Sequence, residues 1–149
     1  MNEAFDPDVV AQYERDTWSR CADGYVDTFA GITRETVPLL LEAGAIQPGS
    51  EVLDMGSGPG HVADLLCKAG ANVTGVDFSS NMVEVAQSRY PRITFKQTDA
   101  EQLPFEAGSF DAVVANYVVH HLAENAQPYE QDGQFVFPHT ALLGSALKS

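Results

Sequence analysis

Asp54-Met-Gly-Ser-Gly-Pro-Gly60 is the stretch whose residue types and spacing could do chemistry. Glycine recurs at every second position behind an aspartate, at Gly56, Gly58 and Gly60. Such glycines let the backbone turn sharply and let a ligand approach it closely. A turn of this kind could cradle a dinucleotide pyrophosphate, but that fingerprint is G-x-G-x-x-G. Here the residue three after Gly58 is His61, so the third glycine arrives one position early. Asp54 argues the same way, because a carboxylate sits badly beside a pyrophosphate and suits a cationic ligand. A second carboxylate, Asp77, follows Gly60 close to the roughly 20-residue offset at which doubly wound folds place a ribose-binding acid. A carboxylate can accept from two vicinal hydroxyls at once. Asp77 could instead cap a helix, but Ser79, Ser80 and Asn81 already offer caps.

These residues need a frame to hold them. Pro48-Gly49 marks a turn, and Val52 and Leu53 open a short apolar strand over 51–55. Val62, Leu65, Leu66 and Ala69 then share one face of a helix over 61–69, which Gly70 stops. Residues 72–77 read as a second strand, followed by a helix with Met82, Val85 and Ala86 on its inner face and Arg89 at its end. A third strand falls at 93–96. A fourth, at 110–116, is nearly all apolar and so buried on both faces. Strands alternating with helices predict a parallel sheet. Upstream, 33–43 reads as one helix, capped by Thr33 and ended by Gly44, with Val37, Leu40 and Leu41 inward and Pro38 in its first turns. Residues 1–30 hold Tyr13, Trp18, Tyr25 and Phe29 among acidic residues and read as one or two amphipathic helices.

The chain has 149 residues, which fits one domain. That length can bury roughly two-thirds of the unfolded surface. Hydrophobic residues make up 44%, which excludes a disordered chain. No apolar run approaches the ~18 residues of a membrane span. The acidic N-terminus lacks an apolar leader core, so a cytoplasmic location is expected. The net charge of −13, without a basic stripe, would repel nucleic acid. Cys21 and Cys67 make neither a disulfide framework nor a zinc set.

Four segments then fall in a familiar order: the glycine turn, Gly75-Val-Asp77-Phe-Ser-Ser-Asn-Met82, Asp99-Ala100-Glu-Gln-Leu-Pro-Phe105, and Phe110-Asp-Ala-Val-Val-Ala-Asn116. In residue type and spacing, residues 51–122 resemble the class I S-adenosylmethionine (SAM) dependent methyltransferases. The likeness is greatest to the branch with the ubiquinone and menaquinone methyltransferases. The resemblance implies an α/β, Rossmann-like, doubly wound and mostly parallel sheet with N-terminal helices. The expected parts are an N-terminal helical segment at 1–45, a cofactor core at 46–122 and a shortened C-terminal segment at 123–149. The resemblance further implies that Asp54, Gly56, Gly58 and Gly60 form the cofactor turn and that Asp77 takes the ribose hydroxyls. Phe78 and Met82 would line the adenine, Asp99 and Ala100 would meet its edge, and Asn116 and Tyr117 would border the methionine end. An N-terminal helix in this family often lends an aromatic to the cofactor, here Trp18 or Tyr25.

The departure comes after Leu122. A polar loop at 124–134 replaces the usual helix and fifth strand, and 135–147 looks like the family's last strand. The fourth strand would then present an open edge that must be covered. Pairing of 141–147 beside it and formation of a homodimer both remain open.

Methyl transfer from a sulfonium is an in-line displacement with a good leaving group. The protein mainly supplies proximity, orientation and exclusion of water. An oxygen acceptor also needs a base, and the nearby candidates are the adjacent His120 and His121. No third ligand at useful spacing makes them a metal pair. Two functions stay open: a SAM-dependent methyltransferase acting on a small molecule, and a SAM-binding domain without independent catalysis, as a shortened relative or part of an assembly. A nicotinamide-dependent oxidoreductase fails on the glycine spacing and on Asp54.

Overall fold

The computed structural model describes residues 30–99 and 102–116, together with positions 9, 12, 13, 16, 17, 20, 130, 131, 134 and 135. Eight elements lie in the continuous part: α1 (Ala30–Glu35), α2 (Val37–Ala43), β1 (Glu51–Met55), α3 (His61–Lys68), β2 (Asn72–Asp77), α4 (Ser80–Arg89), β3 (Thr94–Gln97) and β4 (Ala112–Ala115). The four strands form one sheet in the order β3-β2-β1-β4, and every pairing is parallel. The expected parallel α/β architecture is therefore present. Parallel neighbours need crossovers, and α3 and α4 supply two of them. The six described positions between 9 and 20 are helical, in keeping with an N-terminal helix.

The core explains why these segments form. Val52 and Val114 on neighbouring strands pack with Val62, Ala63 and Leu66 of α3, and with Val37 and Leu40 of α2. Each is buried to 6% exposure or less, the pattern expected of strands covered by helices. The helix faces differ from the expected ones in detail. On α3 the buried set is His61, Val62, Ala63 and Leu66, while Leu65 is half-buried and Ala69 exposed. On α4 it is Met82, Val83 and Ala86.

The single helix expected over 33–43 is in fact two. The break falls at Thr36, which precedes α2, and Pro38 lies in the first turn of α2. Proline has no N–H for a bond to the preceding turn, so a continuous helix would lose a rung there. Thr33, expected at a helix start, lies inside α1.

Past β4, β5 (Glu130–Gln131) and β6 (Gln134–Phe135) pair antiparallel as a separate two-stranded sheet. Part of the loop expected at 124–134 is thus strand. Asp132-Gly133, the two residues between, are a sequence that favours a two-residue hairpin turn. The segment 141–147, proposed from the sequence as a cover for β4, lies outside the described residues.

Candidate functional site

The carboxyl ends of β1 and β2 bring the two singled-out aspartates together. Asp54 is the fourth residue of β1 and Asp77 the last of β2. Both are buried, at 1% and 7% exposure. Between them runs the turn. Gly56, Gly58 and Gly60 all take positive φ, at 69°, 50° and 87°. That backbone needs glycine, but two of the three serve different ends. A Cβ on Gly60 would come within 2.9 Å of the Phe95 and Tyr90 rings, so Gly60 lets the turn pack down on α4 and β3. Among the described residues, a Cβ on Gly58 would meet nothing within 4 Å, so that side of the turn has room for a ligand.

Hydrogen bonds lock the turn onto β2. Ser57 N donates to Val76 O at 2.9 Å. Gly58 N donates to Asp77 Oδ2 at 2.9 Å, and Ser79 N donates to Asp77 Oδ1 at 2.9 Å. Ser79 is the cap of α4, its hydroxyl accepting from Met82 N at 3.3 Å. Asp77 therefore braces the turn and is not the helix cap. Each carboxylate oxygen has two lone pairs, so one N–H apiece leaves capacity for further donors.

The electrostatics are those of two acids in a tight, dry place. Burial pushes the Asp54 carboxyl up from the ordinary 3.8 to about 7, and the charge of Asp77 adds to the rise. The Ala63 N–H at the start of α3 pulls it partly back. Burial also raises Asp77, with the Ser79 and Gly58 N–H groups opposing. Asp54 Oδ2 is buried without a hydrogen-bond partner among the described residues. An orphaned carboxylate oxygen is costly unless a donor or a cation meets it. Ser57 Oγ is likewise buried without a partner among the described residues. The residues present thus fit a ligand that carries both a cation and hydroxyl donors.

The other expected contributors fall around this centre. Phe78 is half-buried just past β2, and Gln97 Nε2 donates to its carbonyl at 3.0 Å. Met82 is buried in α4, while Asp99 is exposed just past β3. Asn116 is buried directly after β4 and accepts from Thr36 Oγ1 at 2.7 Å. Ala100, Tyr117, His120 and His121 lie outside the described residues, as do Trp18 and Tyr25.

Two groups escaped the sequence reading. His61 is buried at the start of α3, with Nδ1 facing Tyr90 Oη at 3.0 Å and Arg34 Nη2 at 3.2 Å. Burial lowers its pKa, and Arg34 and Arg89 lower it further against Asp64, so the ring is held neutral with Nδ1 accepting. Its one legible signal was a polar residue in the position where a glycine was sought. Thr36 carried no signal, because its partner lies 80 positions away. No helix among the described residues is long and apolar enough to cross a membrane.

Known proteins are similar to this chain over the same segment. A family profile described as a methyltransferase domain matches residues 52–130. The methyltransferase YcgJ of Bacillus subtilis is 32% identical over 131 residues, which cover 80% of this chain and 52% of that protein. A demethylmenaquinone methyltransferase of Renibacterium salmoninarum is 37% identical over 94 residues, covering 63% of this chain and 40% of the relative. Among solved structures, the magnesium protoporphyrin IX methyltransferase of Synechocystis with bound SAM superposes with a TM-score of 0.57 at 30% identity. That superposition covers 81% of this chain and 66% of the other. The chain spans about half the length of the curated relatives it matches. The profile match takes in more than half of the chain and begins in the strand that feeds the glycine turn, so this chain belongs to the methyltransferase domain family, of class I by its parallel sheet.

Proposed function

We propose that this chain binds SAM at the carboxyl ends of β1 and β4 and serves in methyl transfer to a small-molecule acceptor. One observation carries the reading: the glycine turn joins two buried carboxylates, has room at Gly58 among the described residues, and leaves an Asp54 oxygen without a partner among them. A pyrophosphate would be repelled there, whereas a cationic ligand with a ribose would be held. In this reading Asp77 takes the ribose hydroxyls with the lone pairs its backbone donors leave, and Asp54 answers the positive charge. Phe78 and Met82 flank the adenine, and Asp99 with Ala100 meets its edge. Asn116 and Tyr117 border the amino-acid end.

When bound, SAM would supply an electrophilic methyl group on a good leaving group. The chain's own part is to orient that ligand and keep water from it, which is where most of the rate arises in such a displacement. A base, if the acceptor needs one, would come from His120 or His121.

A second reading follows from length. Because the chain spans about half of its curated relatives, it also suits a SAM-binding domain whose acceptor side is supplied by something else. Calorimetry against SAM and against NAD tests the shared reading. SAM binding without NAD binding is expected, and tight NAD binding with no SAM binding would sink it. A methyl-transfer assay over a panel of acceptors then separates the two readings.

A further inference from the structure

The joint between α1 and α2 is tied by a buried contact to the end of β4. Thr36 stands at the cap position of α2, yet its hydroxyl makes no capping bond to that helix. It donates instead to Asn116 Oδ1 at 2.7 Å. Both residues are buried. Forgoing a cap is a cost that another interaction has to offset.

Asn116 lies one position beyond the paired Ala115 and Met55, level with the start of the glycine turn. Asp77 ends β2 on the other side of β1. Strands are spaced about 4.8 Å apart, so the two residues lie two strands, roughly 10 Å, from each other across the sheet's edge. In the SAM-binding reading, a ligand with its ribose at Asp77 crosses the turn and brings its amino-acid end toward Asn116. A carboxamide carries an acceptor on one limb and a donor on the other. The Thr36 hydroxyl on the oxygen fixes that limb of the carboxamide toward the joint.

We propose that Thr36 is a positioning residue for the amino-acid end of the cofactor: its hydroxyl holds the Asn116 carboxamide in one orientation and pins the α1–α2 joint to the rim of the site. This role rests on the SAM-binding reading above. Through Asn116 it affects ligands that carry the amino-acid chain, and the nucleoside end, held across β1 by Asp77, is indifferent to it.

The test is calorimetry of the full chain with SAM, S-adenosylhomocysteine and 5′-methylthioadenosine, which has the nucleoside but no amino-acid group. Thr36→Val keeps the shape and removes the hydroxyl. It should weaken SAM and S-adenosylhomocysteine about tenfold, the size of one lost buried hydrogen bond, and leave methylthioadenosine within about twofold. Thr36→Ser should restore the parent values. Equal loss for all three ligands, or no loss for SAM, overturns the role. If Thr36→Val does not fold, Asn116→Asp replaces it. That variant still accepts from Thr36 but presents an oxygen in place of the amide nitrogen, so the same selective loss is expected, and its absence overturns the role. A parent chain that binds no SAM sinks the site reading and this role together, whereas a parent that binds SAM with no selective loss sinks only the role of Thr36.

Discussion

Asp77 does two things with one side chain. Its oxygens accept the Gly58 and Ser79 N–H groups, and so hold the turn against β2. The same oxygens keep lone pairs for a ligand's hydroxyls in the proposed site. Asp77→Ala removes both functions at once. Hydrogen bonds to a charged acceptor are worth about 1.5–3 kcal/mol each, so the loss of SAM affinity should be on the order of a hundredfold. It should exceed the loss from any change in residues 1–30. Calorimetry reads the affinity and a thermal melt reads the brace. An affinity within about threefold of the parent, beside a lowered melting temperature, would leave Asp77 as a brace alone.

Elements meet through glycines that serve opposite ends. Gly75, inside β2, has ordinary backbone but no room: a Cβ there would lie 2.4 Å from Phe95 Cδ1 and 2.9 Å from Ser57 Oγ. It is the missing side chain that lets β3 and the turn close on β2. Gly58 has room among the described residues but a φ of +50°. The two alanine variants should therefore separate. Gly75→Ala overpacks the core and should cost about 1–3 kcal/mol of stability. Gly58→Ala should cost about 1–2 kcal/mol from the left-handed backbone, and in addition lose SAM binding, because its methyl enters the open space. Paired melts and titrations check this. Retained SAM affinity in Gly58→Ala would show that the open side of the turn faces no ligand.

The whole molecule feels pH through the same buried acids. Asp54 is raised from 3.8 to about 7 and Asp77 is raised too, so the folded chain holds protons that the unfolded chain has released. Stability must then fall as pH rises from about 4 to about 7, and level off above that. His61 acts in the opposite sense, since its lowered pKa adds stability as pH rises toward 6.5. Asp54 should outweigh it, being fully buried and repelled by Asp77, while His61 accepts from two donors. The net charge of −13 adds self-repulsion of the same sign as the Asp54 effect. The expected drop from Asp54 is on the order of 2 kcal/mol between about pH 5.5 and about pH 8. Urea unfolding at the two pH values measures it. Asp54→Asn should remove most of the slope, and an unchanged slope in that variant would assign it to other groups.

The sequence by itself determined the order of the parts. The four strands, the two crossover helices, the glycine turn and the acids at its flanks are local patterns, each written in consecutive residues, and each stands within one or two residues of where the pattern put it, the third strand at 94–97 in place of 93–96 and the fourth at 112–115 in place of 110–116. Tertiary structure decided what those patterns meet. That Gly60 and Gly75 leave room for Phe95 follows only from the pairing of β3 beside β2. The two-helix entrance is another such case: Pro38 was legible, but Thr36 turns its hydroxyl to a strand end 80 positions away. The neutral state of His61 and the raised carboxyl of Asp54 depend on burial and on neighbours from other elements. Spacing along a chain records what one element needs, whereas desolvation and hydrogen bonding between distant segments arise only when the elements pack.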